Sequence, residues 1–192
     1  MYLGVGCGHF ITVRNHLHHI EPVIVHELTH ALLNHLPLPT WINEGLAVNT
    51  EHRFHPPLTG AHLGGADSME QHARHQAFWT PDHLQQFWSG EAFHRPGQGQ
   101  ELAYDLARIL TAQLASDWPR FTAFARSAHR LDAGAHAARQ LLGIGLGQAV
   151  CALLERDYTP DHEPTEPSLD TSPSGHRMDV NALSARPSVR TG

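Results

Sequence analysis

The chain has 192 residues, 41% of them hydrophobic, with a formal charge of −6 when histidine is counted neutral. That length suits one domain with a real core and is short for two. Its 18 histidines offset part of the charge, since about a quarter of exposed imidazoles are protonated at pH 7. A balance this mild excludes the strongly basic surfaces that nucleic-acid and membrane-surface binders present. All 13 basic residues are arginine, and Ala, Gly, Pro and His are abundant, so part of the histidine content is compositional. No apolar run reaches the ~18–20 residues needed to span a bilayer. The start, Met1-Tyr2-Leu3-Gly4-Val5, lacks the basic flank and apolar stretch of a signal peptide. The expectation is a cytoplasmic protein with neither a membrane nor a nucleic acid as partner. Cys7 and Cys151 stand far apart and read as reduced thiols.

In chain order, residues 8–13 (Gly-His-Phe-Ile-Thr-Val) are rich in aromatic and β-branched types and predict a strand. Apolar positions at Val23, Val25, Leu28, Leu32 and Leu36 predict a helix over 22–36, with Pro22 in its first turn and Pro37 and Pro39 ending it. Thr40 reads as the N-cap of a helix over 41–50. Residues 52–65, rich in Pro, Gly and His, predict a loop. Helices follow over 68–78 and 82–88, the latter opened by Thr80-Pro81-Asp82 and stopped by Ser89-Gly90. Three more span 101–116, 118–131 and 135–156, with Gly143, Gly145 and Gly147 placed to break the last. From residue 159 the composition turns to Pro, Ser, Thr and Asp without apolar periodicity. The expected organisation is a domain over 1–158 and a disordered tail over 159–192.

The chemistry concentrates in His26-Glu27-Leu28-Thr29-His30, an HExxH motif. On a helix His26 and His30 lie one turn and about 40° apart, so both imidazoles reach one ion. Glu27 stands beside them, placed to take a proton from a metal-activated water. In so histidine-rich a chain the motif arises by accident on the order of 0.1 times. Its apolar flanks, Val23, Ile24 and Val25 before it with Ala31, Leu32 and Leu33 after it, argue against accident by predicting a helix buried on most faces. Catalytic zinc takes three protein ligands and leaves one position open. The metzincin spacing requires Gly at 33 and His at 36, where this chain has leucine, and His35 points to the wrong face. Glu44, with thirteen residues between it and His30, is the better candidate, because a helix, a Pro-containing turn and a second helix bring it back beside the histidines.

The run His26–Ala31 followed by Leu38-Pro39-Thr40-Trp41-Ile42-Asn43-Glu44-Gly45-Leu46-Ala47 resembles the short-spacer gluzincins of the peptidase MA-like superfamily. The match is specific through residues 23–47 and weaker to about residue 156. The resemblance implies a mainly α domain with a minor N-terminal β element, zincin-like in type, and a Zn2+-dependent metallopeptidase acting on a peptide or protein substrate. It implies metal ligands His26, His30 and Glu44, Glu27 as general base, and Tyr104 as a hydrogen-bond donor to the oxyanion. It also makes residues 6–11 an edge strand for an extended substrate. The chain departs from the pattern in two respects. Larger gluzincins carry an Asp four residues after the glutamate ligand, to orient a zinc histidine. Val48 stands at that position here, leaving Asn49, Glu51 or another residue for the role. Only about 22 residues precede the motif helix, fewer than such domains usually have, as expected of a compact member, a fragment or a misassigned start. Two rivals to the peptidase reading are a zinc-binding but inactive domain, and a helical interaction domain whose HExxH is a compositional accident.

Overall fold

The computed structural model describes residues 17–56 and 65–165, and among these the chain is mostly helical, with no strand. The strand expected over 8–13, the edge strand over 6–11 and Cys7 lie outside the described residues, as does the tail from residue 166. Helix α1 spans Leu17–Leu33 and α2 spans Thr40–Phe54. Then come α3 (Gly65–Phe78), α4 (Pro81–Ser89), α5 (Gln98–Leu114) and α6 (Trp118–Ser127). A short α7 (Ala135–Ala137) runs on as a π-helical turn, Ala138–Leu142, and α8 covers Leu146–Leu153. No helix among the described residues is long and apolar enough to cross a membrane.

Local chemistry explains most of these boundaries. Thr80 Oγ1 accepts from the His83 backbone N–H at the start of α4, Pro81 takes a first-turn position, and Gly90 ends the helix at φ +86°. A left-handed residue there is what glycine tolerates best. Gly143, at φ +72°, separates the π turn from α8, so the expected break in the last helix occurs. Several boundaries differ from expectation: α1 ends at Leu33 rather than 36, α2 runs on to Phe54 into the stretch expected as loop, and α6 stops at Ser127 rather than 131. Pro22 lies inside α1 rather than in its first turn, because the helix begins five residues earlier, at Leu17. Thr40 does not cap α2: the Pro39 carbonyl accepts from the N–H groups of Ile42 and Asn43, and no side chain caps the end.

The core is aromatic. Trp41, Trp79, Phe87, Phe93, Phe121 and Phe124 are essentially inaccessible to solvent. Trp41 meets Trp88 edge-on at 5.8 Å, and its Nε1–H donates to the Ala133 carbonyl at 2.9 Å. Against this core α2 packs on α5 along a line where Gly45 lets the backbones approach. A Cβ at Gly45 would stand 2.9 Å from the Ala107 carbonyl carbon, and nearer still to that group's oxygen and the Thr111 hydroxyl.

Two expectations need correction. α1 was expected to be buried on most faces, yet Leu28 is 56% and Leu32 75% exposed, and none of its described side chains is fully buried. Among the described residues α1 packs chiefly on α2, and one neighbouring helix covers only one stripe of an apolar helix. The ordered domain also runs past residue 158. The segment 160–165 straps onto α4: Gln85 Nε2 donates to the carbonyls of Asp161 and Glu163, and Trp88 Nε1 donates to that of His162. A segment without apolar periodicity is held here by backbone hydrogen bonding and by burial of His162 and Pro164.

Candidate metal centre

The turn over 34–39 reverses the chain, so that α1 and α2 lie antiparallel, with His30 against Glu44 and His26 against both Glu44 and Glu51. Glu44 Oε2 stands 3.4 Å from His26 Nε2 and 3.4 Å from His30 Nε2. The two rings meet edge to face, 4.7 Å apart at their centroids. One ligand atom from each of His26, His30 and Glu44 lies within 4.8 Å of the others, and this group can hold a metal ion. It is a half-buried cluster, each side chain being 16–23% exposed.

The donor set can be tested against the ion it implies. Two ligands bound at ~2.0–2.1 Å to a tetrahedral centre are about 3.3 Å apart, so the spacing of these atoms suits zinc. It does not suit direct hydrogen bonding: Glu44 Oε2 is buried and has no aligned hydrogen-bond partner. A carboxylate oxygen facing two imidazole nitrogens needs positive charge between them, whether from protons or from a cation. The charges of these three groups act on one another. Burial works against the charge on Glu44, but the imidazoles of His26 and His30 outweigh it and lower its carboxyl to about 2. The Glu44 carboxylate in turn raises His30 above its ordinary value against the effect of burial, with Asn43 and Glu27 adding to the rise.

The outer contacts of the two rings differ. His26 Nδ1 donates to Glu51 Oε2 at 3.2 Å. His30 Nδ1 is buried without an aligned partner, and so is Oδ1 of the neighbouring Asn43. The sequence points to Asn43 only through its place beside Glu44. Glu51 is one of the residues it offers for the role vacated by Val48.

Tyr104 lies on α5. Its ring stands edge-on to Phe93 at 5.2 Å, and its hydroxyl is pushed up to about 12, by burial first and then by the charges of Glu44 and Glu27. The phenol thus senses both carboxylates and keeps its proton. Glu27 is half-buried on α1, next to His26 in sequence and near enough to His30 to raise it.

A second histidine cluster lies away from this group, around His75 on α3, which is only 3% exposed. Its Nδ1 accepts from Trp79 Nε1 at 2.9 Å, so its Nε2 carries the proton and donates to Asp105 Oδ2 at 2.8 Å. Asp105 also accepts from Gln71 and twice from Arg108. This network ties α3 to α5. The signal for it is weak in sequence, because its two halves, His75–Trp79 and Asp105–Arg108, lie 30 residues apart.

No protein-family model, curated protein or solved structure matches the chain. The class of site therefore rests on its own geometry: two histidines of one helix and a glutamate of the next, close enough that they could hold one ion.

Proposed function

We propose that the protein is a zinc-dependent peptidase of gluzincin type, with His26, His30 and Glu44 as the metal ligands. The observation that carries this reading is the pair of 3.4 Å separations from Glu44 Oε2 to the two Nε2 atoms, a spacing suited to a shared ion and unsuited to direct hydrogen bonds. Zinc bound there supplies Lewis acidity, polarising a carbonyl and acidifying a water.

The chain's own residues supply the rest. Glu27 adjoins the ligand His26 without belonging to the ligand group, which leaves its carboxylate to take a proton from the attacking water and pass it to the leaving amine. Tyr104 keeps its hydroxyl proton throughout the ordinary pH range and donates a hydrogen bond to the carbonyl oxygen as negative charge develops there. Packing of α5 on α2 sets where that hydroxyl stands relative to Glu44. The substrate class is a peptide or protein.

The test is metal analysis paired with a peptide-library digest. The expected result is one zinc per chain and cleavage that Glu27→Gln abolishes while zinc remains bound. Zinc without cleavage in either protein would assign the site to the inactive, metal-holding alternative. Absence of zinc would remove the reading altogether.

A further inference from the structure

We infer that Glu51 is a positioning residue that holds His26 in its metal-binding form, doing from two helical turns beyond Glu44 what an acidic residue one turn beyond it cannot do in this chain. The inference rests on the zinc reading above and assigns a role to a residue outside the ligand group.

Residues 44, 48 and 51 fall on one face of α2. At 100° per residue, four steps turn the helix by about 40° and seven steps by about −20° relative to the start. The face that carries Glu44 toward α1 therefore offers two positions for a group that touches the far side of a ligand histidine. Val48 occupies the first and has no polar atom. Glu51 occupies the second, and its Oε2 accepts from His26 Nδ1 at 3.2 Å. The antiparallel course of α1 and α2 makes this reach possible: His26 precedes His30 on α1, so its outer nitrogen meets the later part of α2.

The chemical consequence follows from the tautomers of imidazole. A proton on Nδ1, given to a carboxylate, leaves the Nε2 lone pair for a metal and makes that nitrogen a stronger donor. It also fixes the ring plane, so His26 does not have to be reoriented when the ion arrives. The alternative claimants on Glu51 are engaged elsewhere or less directly placed. Arg108 gives its Nε and Nη2 to Asp105, and His52 senses Glu51 only through space. His30 has no such carboxylate, since its Nδ1 is buried without an aligned partner. Of the two ligand histidines only His26 touches Glu51, so loss of Glu51 acts directly on His26 and not on His30.

The experiment uses the full chain, with zinc affinity measured by competition against a chromogenic chelator and the visible spectrum recorded after cobalt substitution. Glu51→Ala is expected to weaken zinc binding by roughly 10–100-fold and to shift the cobalt bands, with the metal-free melting temperature near that of the unaltered chain. Glu51→Gln, which keeps an acceptor but no charge, should fall between the two. Placing the carboxylate one turn earlier, in Val48→Asp combined with Glu51→Ala, should recover most of the affinity.

Zinc affinity of Glu51→Ala within threefold of the unaltered chain would overturn the assignment. So would a loss that tracks a fall in metal-free stability and that neither Glu51→Gln nor the relocated carboxylate relieves, because Glu51 would then be structural. If the unaltered chain takes up no zinc or cobalt, the zinc reading itself fails and takes this role with it.

Discussion

Gly45 is the point at which a single methyl group tests how the fold serves the site. In Gly45→Ala the new Cβ would stand 2.9 Å from the Ala107 carbonyl carbon, and closer still to its oxygen and to Thr111 Oγ1. The Thr111 hydroxyl can rotate, but the Ala107 carbonyl is backbone within α5 and cannot move aside alone. α2 and α5 must therefore separate by several tenths of an ångström or more. Overpacking of this kind costs about 1–3 kcal/mol, and replacing a mid-helix glycine by alanine returns up to about 1 kcal/mol. The net loss is about 1–2 kcal/mol, a fall of roughly 2–8 °C in melting temperature for a domain of this size. The same separation moves Tyr104, on α5, away from Glu44, on α2. If the proposed zinc-peptidase reading holds, peptide cleavage should fall by more than zinc affinity, because the proposed ligands all lie on α1 and α2. Thermal melts of the metal-free protein, with zinc titrations and peptide assays on the same variant, measure all three quantities. A variant as stable as the original, gaining only alanine's helix propensity, would refute the close α2–α5 contact.

Two further outcomes follow from the network and the strap. Burial raises the Asp105 carboxyl, but the hydrogen bonds from His75 and Arg108 outweigh it and hold the group below its ordinary value. Its stabilisation is therefore fully present above the unfolded value of ~3.9 and is lost as pH falls through the lower folded value. Asp105→Asn should cost about 1–3 kcal/mol at pH 7, and the gap in urea midpoint should narrow below pH ~4; a gap independent of pH would contradict this account. Gln85 reads the strap backbone on both sides of its amide, giving its N–H groups to Asp161 and Glu163 and accepting from the Thr165 N–H and hydroxyl. Gln85→Ala should cost about 1–2 kcal/mol and open residues 159–165 to proteolysis before the helices, whereas unchanged cleavage there would show the strap to be held by His162 and Pro164 alone.

How far the sequence could be read depended on the range of the interaction concerned. HExxH needs only helical periodicity to bring His26 and His30 together, and Glu44 follows from one turn and one further helix. The helix at 81–89, its threonine cap and its glycine stop are encoded within eleven residues. The expectation of a well-buried α1 failed for a related reason. Apolar spacing shows that a face is available for burial, while the packing partner decides whether burial occurs, and among the described residues α1 is covered chiefly by α2.

Sequence alone thus determined the two histidines, the neighbouring Glu27 and the candidacy of Glu44, because i,i+4 geometry is local and independent of the rest of the chain. The tertiary structure decided which acceptor meets His26 Nδ1, how His75 becomes a buried link to Asp105, and that residues 160–165 belong to the domain. Those outcomes depend on which helix faces lie opposite one another. That is settled by the packing of Trp41, Trp79, Phe87 and Phe124 and by the close approach at Gly45, and residue spacing does not encode it.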